Sequence, residues 1–224
     1  MPGRRPRSFS TEDAYGLLLG IIVVTFVLLS QVEPGRWTRL VVAPAVGAML
    51  LLALYASRVR FELMRAAVIA VVASYVIVVA EAILDTEAFA GSIYLIYGLL
   101  LLITPIVIIN RILRHPEVQL PTILGAICAY MLIGIVFGFV YALVGRIDPP
   151  FFARHGPTDQ FDYFYFSYSC LTTVGFGDFT SRGDLGRSLS VLEAVLGQIF
   201  LVTLIARLVS LFRPAPRDTG SSEN

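Results

Sequence analysis

Long apolar stretches alternate with short polar segments along the whole chain. A bilayer core needs roughly 20 apolar residues per helix. Pro44 and Pro105 lie inside two of the stretches, which membrane helices tolerate, and Pro121 lies where a helix is expected to begin. The pattern predicts six membrane-spanning helices, at about 15–32, 38–57, 66–84, 92–109, 122–144 and 187–212.

Composition supports a membrane protein. Of the 224 residues, 57% are hydrophobic and 15% are charged, and the mean hydropathy is +0.79. All 17 basic residues are arginine, which together with many Ala, Val and Gly residues indicates a GC-rich bacterial genome. A net charge of +1 does not favour a nucleic-acid partner. Cys128 and Cys170 lie in apolar surroundings and are expected to be packing residues, not a disulfide.

The arginine residues also predict an orientation. With a cytoplasmic N-terminus, ten arginines fall on the inner side and six on the outer side, in agreement with the positive-inside rule. Both termini are then cytoplasmic, and the 172–178 loop lies on the outer side. The inner set is Arg4, Arg5, Arg7, Arg58, Arg60, Arg65, Arg111, Arg114, Arg213 and Arg217, and the outer set is Arg36, Arg39, Arg146, Arg154, Arg182 and Arg187.

The segment 161–171 is apolar and aromatic but too short to cross a bilayer. It predicts a short re-entrant helix, with Asp159 or Asp162 available to cap its N-terminus. The partial negative charge at its C-terminus would favour a cation. Its aromatic residues are suited to form a cuff around a buried loop, although an interfacial aromatic belt is the alternative. These residues are Tyr163, Phe164, Tyr165, Phe166 and Tyr168.

The next seven residues are Thr-Thr-Val-Gly-Phe-Gly-Asp, 172–178. Gly175 and Gly177 allow backbone conformations closed to other residues. A chain that alternates between left- and right-handed regions can point successive carbonyls the same way. Four such strands around one axis would stack rings of oxygen that replace the water around a cation, and Thr173 can add a ring of hydroxyls. An ordinary turn between two helices is the alternative.

This heptapeptide closely resembles the selectivity filter of the bacterial tetrameric potassium channel family. The resemblance implies that Thr173, Val174, Gly175 and Phe176 coordinate K⁺ transiently. Phe176 stands where most members have tyrosine, and Ser169 where some keep a carboxylate. Non-selective relatives carry Asp or Asn in place of the aromatic residue, so potassium is expected to pass in preference to sodium. The residues that the resemblance places at the filter mouth or in its support are Thr172, Gly177, Asp178, Ser169 and Phe166.

Two residues of the last span are candidates for gating or pore support. Gly197 resembles the hinge glycine of pore-lining helices, and close helix packing is an equal alternative. Glu193 is an ionisable residue within the membrane, where such residues are functional candidates. We expect it to form a hydrogen bond to the back of the re-entrant helix, with Thr172 or Ser169 as partner. A charge that faces the ion path is the alternative.

The fourth span does not resemble a voltage sensor. Such a sensor needs arginines at membrane depth, and 92–109 contains none. Arg111 and Arg114 come at its inner edge, as ordinary positive-inside anchors do. His115 and His155 are isolated in predicted loops, and no catalytic constellation accompanies them. Strong voltage gating and enzymatic activity are therefore not expected.

The sequence therefore predicts an all-α membrane protein with six spans, and a re-entrant helix and filter loop between the fifth and sixth. Its expected function is passive, potassium-selective conduction by a homotetramer in the bacterial cytoplasmic membrane. The expected partners are lipid, its own copies and permeant K⁺, without another cofactor. The alternatives are a non-selective cation channel and a non-conducting sensor or accessory subunit. The predicted regions are a cytoplasmic N-terminus (1–14), a four-helix domain (15–114), a pore domain (121–212) and a disordered cytoplasmic tail (213–224).

Overall fold

The computed structural model describes residues 11–31, 36–57, 59–84, 90–114, 120–153, 156 and 158–211. Most of the predicted N-terminal region and the whole predicted tail, 213–224, lie outside these residues. So do Arg58, Arg154, His115 and His155. Residues 11–14 are helical, so the first helix begins before the predicted boundary at 15.

Seven α-helices account for nearly all of the described chain. A helix covers most or all of each predicted span, and a seventh, short helix matches the predicted segment 161–171. The described residues contain no strand apart from one isolated bridge between Phe152 and Ser181. The helices are α1 (Thr11–Gln31), α2 (Arg36–Ala56), α3 (Phe61–Leu84), α4 (Ala90–Arg114), α5 (Leu120–Ile147), α6 (Gln160–Leu171) and α7 (Asp184–Leu211).

Three of these helices are long and apolar enough to cross a membrane, judged by length and composition of the described residues. They are Phe61–Leu84 in α3, Thr122–Ile147 in α5 and Asp184–Arg207 in α7. Helices α1, α2 and α4 carry shorter apolar stretches, at Ala14–Leu28, Ala43–Ala56 and Ile96–Asn110. The prediction that all six cross the bilayer therefore remains a prediction.

Helix α5 lies at the centre of the packing. It contacts α1, α4, α6 and α7. The main apolar core joins buried side chains of α1 to α5, such as Leu18, Leu50, Leu101 and Leu132. Two of the helices that precede α5, α1 and α4, therefore pack directly against it, whereas α2 and α3 contact their neighbours among α1 to α4.

A second, smaller core lies where the chain enters and leaves α6. Phe151 and Phe152 are buried there against Tyr141 of α5 and Phe166 of α6. The backbone of this segment pairs with the segment after the 172–178 loop: Ala153 N donates to Thr180 O at 2.9 Å, and Arg182 N donates to Phe151 O at 2.8 Å. Both ends of the α6–loop unit are thus tied together.

Candidate functional site

Helix α6 begins at a capping box. The side chain of Asp159 accepts a hydrogen bond from Asp162 N at 3.0 Å, and Asp162 in turn accepts one from Asp159 N at 3.1 Å. Each carboxylate thus satisfies a backbone donor that the first helical turn leaves free. The sequence offered these two aspartates as alternatives, and the structure uses both.

The backbone of the loop that follows α6 alternates in handedness. Thr173, Gly175 and Gly177 have φ angles of 59°, 58° and 83°, whereas Val174 and Phe176 between them are not in this region. This alternation is the conformation that the glycine spacing predicts. A β-branched residue with positive φ is a genuine outlier, and such strain concentrates at functional sites.

Ser169 holds the loop at two successive residues. Its backbone carbonyl accepts a hydrogen bond from Gly175 N at 3.1 Å, and its hydroxyl accepts one from Phe176 N at 3.2 Å. The side chain is only 7% exposed. Ser169 stands where some members of the resembled family keep a carboxylate. In this chain the residue supports the loop through its hydroxyl and its backbone carbonyl.

Thr172 and Asp178 occupy the two ends of the loop. Thr172 caps the C-terminus of α6, where its hydroxyl donates to Tyr168 O at 2.7 Å. Asp178 is exposed and accepts a hydrogen bond from Phe179 N at 3.0 Å. Both side chains therefore serve the local backbone in this chain.

Aromatic rings flank the loop on the α6 side. Phe176 stacks on Tyr165, with ring centroids 5.7 Å apart and an interplanar angle of 14°. Stacking thus connects Phe176 to the predicted cuff without a hydroxyl. Phe166, predicted to support the filter, is 6% exposed and packs edge-on against Tyr141 and Phe152, so it supports α6 itself.

Two glycines of α5 allow α6 to approach closely. A Cβ atom on Gly134 would lie 2.8 Å from the ring of Tyr168, and one on Gly138 would collide with the ring of Phe164. The hydroxyl of Tyr168 donates to Met131 O at 2.7 Å. Small residues four apart allow close packing of membrane helices, and here they receive two aromatic side chains of α6.

Glu193 of α7 is fully buried between α5 and α6. One carboxyl oxygen accepts a hydrogen bond from the Tyr141 hydroxyl at 2.6 Å, and the other one from the Ser167 hydroxyl. Ser167 also lies 2.7 Å from Gly134 O and, with one hydroxyl hydrogen, donates to one of the two acceptors at a time. The contact with α6 agrees with the expectation, but the partners are Tyr141 and Ser167 instead of Thr172 or Ser169. Because Glu193 is fully buried, the structure does not favour the alternative in which its charge faces an ion path.

Gly197 lies against the C-terminus of α6. A Cβ atom there would lie 2.6 Å from Leu171 O and 2.9 Å from a Leu171 methyl group. The same carbonyl accepts a hydrogen bond from the Tyr130 hydroxyl of α5 at 3.1 Å. Of the two alternatives for Gly197, a hinge or close packing, the structure supports close packing.

Gln198 also reaches the loop, and sequence reasoning did not select it. Its side-chain nitrogen donates to the Thr173 hydroxyl oxygen at 3.2 Å. The only signal in the sequence is its position directly after Gly197, in an apolar helix. Without the approach distance of α7, nothing in the pattern indicates which loop residue it would contact.

The site thus consists of an exposed loop, 172–178, whose backbone conformation is set by glycines and held by Ser169. The loop offers neutral oxygen atoms, which suit hard cations. Glu193 is buried and accepts hydrogen bonds from side chains of α5 and α6. Gln198 donates a hydrogen bond to Thr173, the first residue of the loop with a left-handed backbone.

Residues 126–213 match the family model described as "Ion channel". The match covers most of α5 and all of α6, the 172–178 loop and α7, but not the four helices before them. Comparison with curated proteins and with solved structures gives no significant match. The chain therefore contains an ion channel domain, and its apolar helices support a membrane location.

Proposed function

We propose that this protein is a potassium-selective channel whose filter is the 172–178 loop. The observation that carries the proposal is the alternation of left-handed φ angles at Thr173, Gly175 and Gly177. A backbone that alternates in this way can present successive carbonyls to one side. Four such strands would give stacked rings of oxygen that replace the hydration shell of a cation.

Selectivity for potassium over sodium is the finer part of the proposal. It is supported by the sequence Thr-Val-Gly-Phe-Gly at 173–177, where an aromatic residue follows the first glycine. Two contacts of that residue add support, because Phe176 stacks on Tyr165 and its amide donates to the Ser169 hydroxyl. A filter held at these points can keep a fixed spacing of its oxygen rings.

The channel is proposed to be a homotetramer with six spans per subunit and a re-entrant α6, in the bacterial cytoplasmic membrane with both termini inside. Non-helical backbone is tolerated at membrane depth only where protein or water surrounds it. Conduction is passive and without chemistry, K⁺ is the only ion required, and gating is not strongly voltage-dependent, because 92–109 of the fourth span contains no arginine.

Potassium flux into liposomes that contain the purified protein tests this function. We expect flux of potassium, little flux of sodium, and inhibition by barium. The Gly175→Ala variant is expected to lose at least about 90% of the flux, since a φ of 58° disfavours a side chain. Gly20→Ala is the matched control, because a Cβ atom there meets nothing within 4 Å in a regular helix.

The rival functions give different results. Sodium flux comparable to potassium flux would indicate a non-selective cation channel. Absence of any cation flux from tetrameric protein, at all pH values and potentials tested, would overturn the channel proposal in favour of a sensor or accessory subunit. Undiminished potassium flux in Gly175→Ala would show that the 172–178 loop is not the conduction path.

A further inference from the structure

The contact between Gln198 and Thr173 joins two segments that are 25 residues apart. It depends on the close approach of α7 to α6, since the preceding residue, Gly197, has no side chain to separate α7 from Leu171. Gln198 is thereby brought to the first left-handed residue of the loop. The side chains of Thr173 and Gln198 are both exposed in the single chain, as are the other residues of the 172–178 loop.

A glutamine at this point of an apolar helix calls for a physical reason. Its neighbours Leu196, Ile199 and Leu201 are apolar, and a polar amide in a membrane setting is favourable only with a partner or with water. The partner is a hydroxyl oxygen, which has two lone pairs and one hydrogen. An N–H donor occupies one lone pair and leaves the second free for a cation.

We propose that Gln198 is a positioning residue that fixes the Thr173 hydroxyl as a cation ligand at the inner end of the filter. The inference rests on the proposed function of the 172–178 loop. A threonine hydroxyl can otherwise rotate about χ1 and direct its oxygen away from the ion. A donor from α7 holds the oxygen in place before the cation arrives, so that binding does not have to supply the ordering.

Barium inhibition is the suitable measurement, because a divalent cation interacts more strongly than potassium with the same oxygen ligands. The variants are Gln198→Met, which keeps an unbranched side chain of similar size without a donor, Thr173→Val, and the double variant. Thr203→Val serves as control, since it removes another hydroxyl from the same helix. Barium is added from the side of the α7 C-terminus in proteoliposomes that conduct potassium.

We expect Gln198→Met to weaken barium inhibition by at least about 3- to 10-fold, because one hydrogen bond corresponds to that factor and the proposed tetramer loses four. In the Thr173→Val background the same substitution is expected to change nothing further, because its target is gone. Thr203→Val is expected to match the wild type. An equal effect of Gln198→Met in both backgrounds, or no effect in either, would overturn the inference.

A second variant tests the position of residue 198 by its charge, and it is compared with Gln198→Met because neither replacement side chain donates an N–H to Thr173. Gln198→Glu places added carboxylates near the inner end of the filter and is expected to strengthen barium inhibition by about tenfold or more. Unchanged inhibition would place residue 198 away from the ion path and overturn the inference. If the wild-type protein passes no cation, the proposed function itself fails. If it passes potassium selectively but the variants behave as wild type, only the role of Gln198 fails.

Discussion

Ser169 performs the work of two groups in one residue. Its carbonyl and its hydroxyl bind consecutive amides of the loop, at Gly175 and Phe176. Ser169 thus supplies the acceptor for both N–H groups, and an unpaired backbone donor away from water is costly. The short side chain suffices because Ser169 lies in the last turn of α6, directly before the loop.

Removal of the hydroxyl by Ser169→Ala should loosen the 172–178 loop, the proposed filter, without unfolding the protein. The Phe176 amide loses its acceptor, which costs about 1–3 kcal/mol where the group is shielded from water. We expect the ratio of potassium to sodium flux to fall severalfold, measured in proteoliposomes. Ser190→Ala is the control, because its hydroxyl binds Arg187 O on the exposed face of α7. An unchanged flux ratio in Ser169→Ala would contradict the role assigned to this hydroxyl.

Gly197 illustrates a glycine that is required by a neighbour instead of by its own backbone angles. A methyl group there would meet the Leu171 carbonyl, which is backbone and cannot move without displacing the end of α6. Overpacking of this kind typically costs about 1–3 kcal/mol. The position is therefore sensitive even to the smallest side chain.

Gly197→Ala should lower the melting temperature in detergent and reduce potassium flux. About 1–3 kcal/mol corresponds to a few degrees in a chain of this size. Gly16→Ala in α1, where a Cβ atom meets nothing within 4 Å, should leave the melting temperature unchanged or slightly raised, because alanine favours helix. A Gly197→Ala protein of undiminished stability and flux would show that α7 can withdraw from Leu171.

At the scale of elements, Glu193 links three helices. Its carboxyl group on α7 accepts hydrogen bonds from the hydroxyls of Tyr141 on α5 and Ser167 on α6. A buried polar group stabilises the fold only while its hydrogen-bond partners are present. Removal of one partner costs more free energy than the hydrogen bond contributes, because the remaining group stays buried and unpaired. The cluster therefore fixes the position of α6 between α5 and α7.

Tyr141→Phe tests this link with minimal change of shape. It leaves one buried carboxyl oxygen of Glu193 without its donor, and we expect a loss of stability of about 1–3 kcal/mol. Thermal unfolding in detergent measures it. Tyr55→Phe on α2 is the matched control, since Tyr55 is 56% exposed. Equal melting temperatures for the two variants would mean that the hydrogen bond contributes nothing.

The sequence predicted those features that depend on local chemistry. The short helix at 161–171 follows from its length and its capping aspartates, and two of the three left-handed positions of the loop follow from Gly175 and Gly177, whereas the third is Thr173. It did not predict the partners of Glu193 or the contact of Gln198. Both depend on the distances between α5, α6 and α7, which a single chain pattern does not contain.

The role of α1 was likewise beyond the reach of the pattern. Phe26 packs against Phe161 and Tyr168, with ring centroids 5.3 and 5.2 Å apart, so α1 touches α6 directly. Apolar residues of a membrane helix are alike whether they meet lipid or protein, because both surroundings are apolar. Only the fold distinguishes them, and it joins the first helix to the ion channel domain.

At the scale of the whole molecule, the loop has an open side that the described part of the chain does not cover. Val174 and Phe176 are 56% and 66% exposed, and Val191, Val195 and Val202 of α7 are also largely exposed. One strand supplies only one side of an oxygen ring. A closed ring forms when identical chains are related by rotation about one axis, so that each chain uses the same two surfaces.

We therefore expect the conducting particle to contain four copies of the 24.6 kDa chain, measured by native mass spectrometry of detergent-solubilised protein. The Gly175→Ala variant should retain this mass while it loses flux, because within the described part of its own chain the methyl group meets nothing within 4 Å and its main effect is on the loop backbone, where φ is 58°. A monomer or dimer that still conducts potassium would contradict fourfold closure. Stoichiometry and flux must agree, since a single chain cannot surround a dehydrated ion with the oxygens of one strand.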